Sequence, residues 1–273
     1  MGTLMNRMRM MVVLMLGCSL YADGETVIAP PPSAVPDLSV YHVNLGIDGP
    51  IIGITALGAL LPVVFESRII KKQCPCDSGE VNSFDRPVIK MHSQAAANIS
   101  NLTVVVALVT PPVWDRIDVG WNKTFMEDFV VYAEVLSVDS SVSNLVRYTT
   151  QRPRPDAYRI SPAPSPPGDF ASFYSGHTAS TFAGLSAAAM TYNLRYGHSV
   201  WPWVITAGVG FTEAGARVSS GRHFYSDVLV GAAAGTAIGT LIPYLHERNK
   251  HSDISVLPRF SSDSVQLVLR KDF

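Results

Sequence analysis

Five long runs without a charged side chain restrict the folds that this chain can adopt. They cover residues 49–65, 93–114, 173–194, 196–212 and 228–245. Several of these runs approach the length that a helix needs to cross a bilayer. A sixth segment, residues 125–149, carries charges and reads as a helix that ends near Arg147. We therefore predict an all-α fold, a bundle of about six helices with the functional site at the helix ends.

The composition gives the context for this bundle. The 273 residues are 47% hydrophobic and 16% charged, which is enough for one sizeable core, and we assign that core to residues 46–250. The formal net charge of -1 gives no indication of a nucleic-acid partner. Basic residues are concentrated locally instead, at Arg147, Arg152, Arg154 and Arg159. Such a cluster favours a small anionic group over an extended polyanion.

Three short stretches contain the residues that predict chemistry. Their residues are, in chain order, Arg147, Arg154, Pro155, Ser175, Gly176, His177, Arg217, His223 and Asp227. Arginine stays charged and offers a planar fork of donors, so three guanidinium groups can hold the oxygens of a phosphoryl group. Two histidines can supply a nucleophile and a proton. The stretches together predict a phosphate-handling site.

The spacing within the last stretch predicts a specific contact. Asp227 lies four residues after His223, so the two side chains share a face if the segment is helical, and they can then hydrogen-bond. That bond would fix the imidazole tautomer and stabilise the cation formed during attack. The helices predicted over residues 177–196 and 227–245 would also direct two N-termini at the site, and helix N-termini favour a bound phosphate.

The order and spacing of these residues resemble the tripartite signature of the type 2 phosphatidic acid phosphatase and vanadium haloperoxidase superfamily. The resemblance covers roughly residues 90–245, with the signature in 147–227. It implies that His223 attacks phosphorus, that Asp227 orients His223 and that His177 protonates the leaving oxygen. It also implies a set of phosphate-binding residues, which are Arg147, Arg154, Ser175, Gly176 and Arg217.

Three positions depart from the commonest pattern of that superfamily. Arg147 stands where lysine is usual and keeps the charge. Tyr174 and Ala216 stand where proline and serine are usual, and they remove a turn-fixing ring and a hydroxyl donor. These departures bear on fine specificity more than on the chemistry.

We expect a phosphoric ester hydrolase that acts on a phosphomonoester or a pyrophosphate through a phosphohistidine. A site of arginines and helix ends needs no metal and no other cofactor, so turnover should survive a chelator and be blocked by vanadate. The apolar helices favour a phosphorylated lipid as substrate, and hence association with a membrane. Three alternatives stay open: an exported acid phosphatase of soluble esters, a vanadium-dependent haloperoxidase, and a non-catalytic envelope protein that binds an anion.

Each of these residues also has a simpler structural explanation. Ser175 and Asp227 each precede an apolar run and could be only helix caps. His177 and His223 could be ordinary surface or core histidines. What favours a site is that all of the residues occur together and in the correct order.

The N-terminus is predicted to be a targeting segment. Arg7 and Arg9 precede an apolar stretch, and small residues then lead to Ala22, as in a signal peptide over residues 1–22. Cys18 also allows a lipoprotein signal, and an uncleaved membrane anchor is a further alternative. A Pro-rich tether follows over residues 23–45. We therefore expect export to the bacterial cell envelope and membrane association, with the site facing the periplasm.

Two observations complicate a bundle that spans a membrane. The predicted helix over residues 125–149 has four carboxylates, at Glu127, Asp128, Glu134 and Asp139, and their burial in lipid would cost several kcal/mol. We therefore do not expect this helix to be a plain span. In addition, three crossings before Arg147 that follow a cleaved signal would leave the site in the cytoplasm.

Two smaller features complete the sequence. Cys74 and Cys76 flank Pro75, and they could close a small disulfide in an oxidising compartment or remain free thiols. In the C-terminal segment, residues 251–273, apolar residues alternate on both sides of residues 261–264. This alternation predicts a short β-hairpin that covers one end of the bundle.

Overall fold

The computed structural model of the protein describes residues 38–71, 74, 76–159, 166–248, 255–261 and 264–270. The predicted signal segment, residues 1–22, and most of the predicted tether lie outside the described residues.

Six long helices form the body of the described part of the chain. They are α1 (Leu45–Val64), α3 (Gln94–Val119), α4 (Lys123–Thr150), α6 (Gly176–Tyr196), α7 (Trp201–Ser219) and α8 (Tyr225–Leu245). The connections contain two short helices, α2 (Glu66–Ile69) and α5 (Pro155–Arg159), and 3-10 turns at Ser78–Glu80, Arg86–Lys90 and Pro167–Phe170. The prediction of an all-α bundle is confirmed for this part of the chain.

Side-chain caps explain where several of these helices begin. Asn44, Ser93, Asn122 and Ser175 each accept a hydrogen bond from an amide in the first turn of the helix that follows. Such caps satisfy backbone donors that have no partner within the helix. Helix α4 ends where Gln151 takes a left-handed conformation with φ of 47°. The chain then turns into the segment that contains Arg154.

Helices α6 and α8 pack closely against each other, and glycines make this close approach possible. Gly231, Gly235 and Gly239 repeat every four residues along α8, so they share one face. A Cβ atom added at Gly235 or Gly239 would lie only 2.1 or 2.2 Å from the carbonyl oxygen of Ala179 or Ala183 in α6. Only glycine leaves room for this approach. The packing fixes the start of α8 against the start of α6, where Ser175 N donates to Asp227 O at 3.1 Å.

Each long helix runs in the direction opposite to that of the long helix before it, so the helix termini gather at two ends of the bundle. Residues from the starts of α3 and α6 and from the ends of α4 and α7 meet around one cavity, so we call this end the pocket end. At the other end, which we call the far end, the segment before α1 meets the segment after α8. There His42 N donates to His246 O at 2.8 Å, and Tyr41 forms a β-bridge with Glu247.

Among the residues that the structure describes, four helical segments are long and apolar enough to cross a membrane. They are Leu45–Val64, Gln94–Val119, Lys123–Arg159 and Tyr225–Leu245. Large apolar side chains on α1 and α3 point away from the protein, and Ile54 and Leu102, for example, are 70% and 66% exposed. Exposed apolar surface of this extent marks a membrane or protein contact. The structure therefore supports the expected membrane association.

Three of the four carboxylates of α4 point into the bundle. Asp128 is paired with Arg195, and Asp139 Oδ2 accepts from Ser180 Oγ at 2.7 Å. Asp128, Glu134 and Asp139 are all buried. Three of the four carboxylates that counted against α4 as a span therefore face protein, which lowers their cost, and whether α4 crosses a membrane stays a prediction.

The C-terminal part contains β1 (Ser255–Ser261) and β2 (Ser264–Arg270), which are antiparallel. Ser255 lies opposite Arg270, and Ser261 lies opposite Ser264. The two strands pair with each other in a sheet of their own. The fold class is confirmed by the helices alone, and the idea that a hairpin covers one end of the bundle stays a prediction.

Candidate active site

The candidate site is a cavity of about 280 Å³ at the pocket end. It is lined by Gln94, Ala97, Asn101, Arg147, Arg154, Gly176, His177, Arg217, Arg222 and His223. Six of the eight residues predicted from the sequence are among these. The two that do not line the cavity are Ser175 and Asp227. The structure thus brings both histidines and all three predicted arginines to one place.

Arg147 is held at the cavity by two hydrogen bonds. It lies in the last turn of α4, where its Nε donates to Ala171 O at 3.1 Å and its Nη1 to Asn144 Oδ1 at 3.2 Å. Gly176 gives this guanidinium space, since an added Cβ would lie 3.7 Å from Arg147 Nη1 and 3.2 Å from Ser143 Oγ. The group is therefore positioned by neutral acceptors, and it keeps its positive charge for the cavity.

The three predicted arginines face the cavity without a carboxylate partner. No carboxylate in the described part of the chain comes within ion-pair distance of Arg147, Arg154 or Arg217, and all three line the cavity. The Nε atoms of Arg154 and Arg217 are buried and have no hydrogen-bond partner among the described residues. Buried donors and charges are costly unless they are paired. An anion in the cavity would satisfy all three groups.

His223 lies just before α8 and is almost fully buried. Its Nδ1 lies 2.8 Å from Ser172 O, and a carbonyl only accepts, so the proton is on Nδ1 and the lone pair is on Nε2. Burial lowers the pKa of His223 to about 3, the nearby Asp227 opposes this shift, and Arg154 and Arg217 add to it. The imidazole is therefore neutral at ordinary pH, with Nε2 free to act as a nucleophile.

Asp227 does not make the predicted hydrogen bond with His223. Its Oδ2 lies 3.6 Å from His223 Nδ1, which is beyond hydrogen-bonding distance. Instead Oδ2 accepts from Ser172 Oγ at 2.6 Å and from Phe224 N at 2.9 Å. The two side chains are neighbours, as the four-residue spacing predicted, but the predicted hydrogen bond is absent because His223 Nδ1 lies 2.8 Å from Ser172 O instead. Ser172 connects the two residues instead.

Asp227 is also part of a charged cluster outside the cavity. Arg152 Nη1 donates to Asp227 Oδ1 at 2.6 Å, and Arg152 Nη2 donates to Asp85 Oδ2 at 2.8 Å. Ser226 donates to Asp85 from both its amide and its hydroxyl, at 3.0 and 2.6 Å. The guanidinium of Arg152 lies 4.2 Å from the centre of the Phe224 ring. We call Asp85, Arg152, Ser226 and Asp227 the buttress cluster.

The buttress cluster corrects two expectations. The start of α8 does not point a free N-terminus at the cavity, because the amides of Phe224 and Ser226 donate to Asp227 and Asp85. Arg152 is neutralised by its two carboxylates and does not add to the charge of the cavity. Arg159 likewise pairs with Asp156, at 2.9 Å. Of the two helices predicted to direct an N-terminus at the site, α6 alone presents its first turn to the cavity, through Gly176 and His177.

Ser175 is a helix cap, as its simpler explanation proposed. It is completely buried, and its Oγ accepts from Thr178 N at 3.4 Å and lies 3.0 Å from Thr178 Oγ1. Its side chain does not line the cavity. Ser175 therefore contributes by fixing the first turn of α6, which carries His177.

His177 lies within the cavity near all three arginines. Burial lowers the pKa of His177 to about 4, and Arg217, Arg154 and Arg147 act in the same direction. The charge of these arginines makes a second positive group unfavourable. A bound anion would offset their charge and raise the pKa of this imidazole.

Sequence reasoning missed part of the cavity wall. Gln94, Ala97 and Asn101 come from the first turns of α3, and Arg222 comes from the turn after α7. Ser100, on the same part of α3, donates to Glu213 at 2.7 Å and accepts from Arg217 Nη1 at 3.4 Å. The α3 residues are small or neutral and do not form a recognisable motif, so no feature of the sequence identified them as part of the site. Arg222 is one residue before His223, and its charge was the one available signal.

The disulfide between Cys74 and Cys76 lies at the pocket end. Cys74 Sγ is 3.8 Å from Ala157 O in α5, and Cys76 packs against a small core that contains Tyr148 and Phe170. Of the two options that the sequence left open, the structure has the bonded pair. The bond therefore lies among the loops that pack beside the end of α4.

Comparison with known proteins gives a family for the segment that contains the site. Residues 128–251 match the sequence model of the PAP2 superfamily. These residues belong to the PAP2 superfamily. The family expected from the sequence is thus confirmed, and the PAP2 segment contains Arg147, Arg154, His177, Arg217 and His223.

Two individual proteins resemble the chain. The lipid A 1-phosphatase of Porphyromonas gingivalis is 34% identical over 125 residues, which are 45% of this chain and 24% of that protein. The match therefore spans about a quarter of the length of this relative. A crystal structure of a transmembrane PAP2-type phosphatidylglycerolphosphate phosphatase from Bacillus subtilis has 15% identity and a TM-score of 0.45. The structural alignment covers 72% of this chain and 94% of the Bacillus subtilis chain.

Proposed function

We propose that this chain is a membrane-associated phosphatase that hydrolyses a phosphomonoester or a pyrophosphate of a lipid. The observation that carries the proposal is the cavity, where two imidazoles and three arginines without carboxylate partners among the described residues surround one space. Such a space suits a phosphoryl group. The relative named lipid A 1-phosphatase supports a phosphorylated lipid as substrate. The apolar helices support the same class of substrate.

In the first step, Nε2 of His223 attacks phosphorus in line with the leaving oxygen. A nitrogen–phosphorus bond forms, the phosphorus–oxygen ester bond breaks, and its electron pair goes to the leaving oxygen. His177, protonated once the phosphate is bound, gives its proton to that oxygen. Arg147, Arg154 and Arg217 stabilise the charge on the three other oxygens, as fixed donors do in phosphoryl transfer.

In the second step, water attacks the phosphohistidine and His177 takes a proton from it. A phosphorus–oxygen bond to water forms, and the nitrogen–phosphorus bond breaks with its electron pair returning to His223 Nε2. Ser172 O keeps the proton on Nδ1 throughout, because it is the hydrogen-bond acceptor at 2.8 Å. Phosphate then leaves and His177 releases its proton to solvent, so that both histidines are neutral again.

The surroundings of the cavity fit a lipid head group with its chains outside. Asn101 lines the cavity, and the next residues on α3, Leu102 and Val105, are 66% and 56% exposed. A phosphate bound in the cavity would therefore have an apolar helix face beside it. Arg222 also lines the cavity, is partly exposed and lies 3.7 Å from Asp156, and it could contact a second phosphate of a pyrophosphate.

The test is phosphate release by the purified full-length chain in detergent. The panel contains phosphatidate, phosphatidylglycerol phosphate, a lipid A 1-phosphate, a polyprenyl pyrophosphate and the soluble ester p-nitrophenyl phosphate. We expect turnover of at least one lipid at a higher kcat/KM than the soluble ester. His223→Ala should lower kcat by a factor of about 10³ or more, because it removes the nucleophile. His92→Ala, an exposed histidine at the pocket end, is the matched control.

Three outcomes would contradict the proposal. Full activity in His223→Ala would show that His223 is not the nucleophile. Phosphate binding without turnover of any ester would show that the protein binds an anion and is not a phosphatase. A preference for the soluble ester would remove the lipid from the proposal. Acid-labile, base-stable phosphate on the wild-type chain, absent from His223→Ala, would support the phosphohistidine.

A further inference from the structure

A second cluster of ligand-type side chains lies at the far end of the bundle. It consists of Asp48 in the first turn of α1, Glu134 in α4 and His246 directly after α8. One ligand atom from each residue lies within 4.8 Å of the other two. Asp48 and Glu134 are only 5% and 6% exposed. Two buried carboxylates and an imidazole from three separate helices therefore surround one point.

The imidazole of His246 is oriented with its lone pair toward the carboxylates. Its Nδ1 lies 2.9 Å from Ile242 O, which can only accept, so Nδ1 carries the proton of the neutral ring. Its Nε2 lies 3.5 Å from Asp48 Oδ1 and 3.6 Å from Glu134 Oε2. Both distances exceed that of a hydrogen bond to nitrogen, about 2.7–3.2 Å. The three residues thus face each other without bonding to each other.

Each carboxylate has an oxygen available for a ligand. Asp48 Oδ2 accepts from Asn44 N at 2.7 Å, which leaves Oδ1 to face His246. Glu134 Oε2 is buried and has no hydrogen-bond partner among the described residues. A buried carboxylate oxygen without a partner is costly, so its position toward the other two ligand atoms points to a cation.

The separations identify the kind of cation. Around an ion with tetrahedral bonds of about 2.0–2.1 Å, neighbouring ligand atoms lie roughly 3.3–3.4 Å apart. The two separations from His246 Nε2, 3.5 and 3.6 Å, are close to that value. One imidazole with two carboxylates suits Zn²⁺, whereas Mg²⁺ and Ca²⁺ prefer oxygen ligands alone. The bond from Nδ1 to a backbone carbonyl is the usual support for a metal-binding histidine.

We propose that Asp48, Glu134 and His246 bind a structural Zn²⁺ ion, with water at the fourth position. Helix α8 separates this site from the cavity by its 21 residues, or about 30 Å, so the ion has no contact with the phosphate chemistry. It joins the start of α1, the middle of α4 and the end of α8. The ion would therefore hold the far end of the bundle closed, beside the backbone bond from His42 to His246.

The test measures the metal and the stability of the full-length chain, purified in detergent through a tag without histidine. We expect about one Zn²⁺ per chain by elemental mass spectrometry, its removal by a strong chelator and a lower melting temperature afterwards. ZnCl₂ should restore the melting temperature and MgCl₂ should not. His246→Ala and Glu134→Gln should each weaken Zn²⁺ binding at least roughly tenfold, and His198→Ala, an exposed histidine, should not.

Cobalt gives an independent measurement that does not need a folded variant. Co²⁺ added to the metal-depleted wild-type chain should produce the visible absorption of a four-coordinate site, and Zn²⁺ should displace it. Absence of this absorption, together with no effect of Zn²⁺ on melting, would overturn the proposal. Equal Zn²⁺ binding by the wild-type, His246→Ala and Glu134→Gln chains would overturn it as well. Metal-depleted protein should still hydrolyse lipid phosphate well below its melting temperature, so this test is independent of the proposed function.

Discussion

At the scale of single residues, tertiary structure and not sequence spacing decides which group is the hydrogen-bond partner of His223. The four-residue spacing favoured Asp227 as its partner, but Ser172 O, which is 51 residues earlier, takes the Nδ1 proton at 2.8 Å. Ser172 Oγ then donates to Asp227 at 2.6 Å. Asp227 thus acts on His223 through Ser172, and no pattern in the sequence marked Ser172.

His177 gives a prediction about protons. Burial and three arginines lower its pKa to about 4, so it is neutral in the free cavity at neutral pH. A bound dianion raises that pKa by offsetting the arginines, so binding takes up a proton. We expect sulfate, which stays a dianion here, to bind with uptake of up to one proton and more tightly as the pH falls from about 8 to about 5.

Calorimetry in buffers of different ionisation enthalpy measures this uptake directly. His177→Gln removes the titrating imidazole and keeps the arginines, so it should bind sulfate with little proton uptake. The same uptake in wild-type and His177→Gln chains would assign the proton to another group.

At the scale of elements, the buttress cluster connects a turn outside the PAP2 segment to the start of α8. Asp85 precedes the 3-10 turn Arg86–Lys90, and it is completely buried. It accepts from Arg152, from Asn82 and twice from Ser226. Burial alone would raise the pKa of Asp85, but these hydrogen bonds hold it below its usual value. Asp85 is therefore ionised and fixes Arg152, which in turn holds Asp227.

Asp85→Asn should both destabilise the protein and slow turnover. The substitution leaves Arg152 with one carboxylate, and breaking a buried ion pair costs about 3–5 kcal/mol. We expect a clear loss of unfolding free energy, and a roughly tenfold lower kcat with little change in KM, because the residues that orient His223 move while the arginines stay.

Asp77→Asn is the matched control for that change. Asp77 is exposed in the same connection, where its Oδ1 accepts from Gly79 N at 2.7 Å, a role that asparagine can also fill. If the Asp85→Asn and Asp77→Asn proteins have the same melting temperature and the same kcat, the buttress cluster has no role in positioning His223.

The elements themselves followed from the sequence, and their close packing did not. Runs without charges predicted the long helices because a buried or lipid-facing helix excludes charges, and the helices begin within two residues of 177 and 227 as predicted. The spacing of Gly231, Gly235 and Gly239 could have predicted a close helix contact, but not that α6 is the partner. The α3 residues that line the cavity, such as Gln94 and Asn101, are placed there by tertiary packing, so no local sequence pattern predicts them.

At the scale of the whole molecule, the two ends of the bundle differ in chemistry. Trp114, Trp121 and Trp201 are 65%, 71% and 69% exposed and lie at the far end, where α3 ends and α4 and α7 begin. Exposed tryptophans at helix ends are typical of a membrane interface. The pocket end has the arginines of the cavity and the disulfide between Cys74 and Cys76. Disulfides persist in oxidising compartments, which supports a pocket end in the periplasm.

This orientation conflicts with the predicted cleavage of residues 1–22. Three long helices, α1, α3 and α4, connect Leu45 to Arg147, so the segment before α1 and the cavity lie at opposite ends. If these helices cross the membrane, a periplasmic cavity requires residues 38–44 to be cytoplasmic. Removal of an N-terminal signal would export those residues instead. The uncleaved anchor, one of the alternatives for residues 1–22, agrees with a periplasmic cavity.

Labelling of single cysteines decides between the two orientations. With Cys18, Cys74 and Cys76 changed to serine, Ser78→Cys reports on the pocket end and His198→Cys on the far end, since both positions are exposed. A maleimide that cannot cross the inner membrane should modify Ser78→Cys in cells with a permeabilised outer membrane, and His198→Cys only after lysis. The reverse pattern would put the cavity in the cytoplasm, because each cysteine reacts only on the side that the reagent reaches. Modification of both before lysis would mean that the bundle does not separate two compartments, and the four apolar helices would then have to contact lipid or protein without crossing.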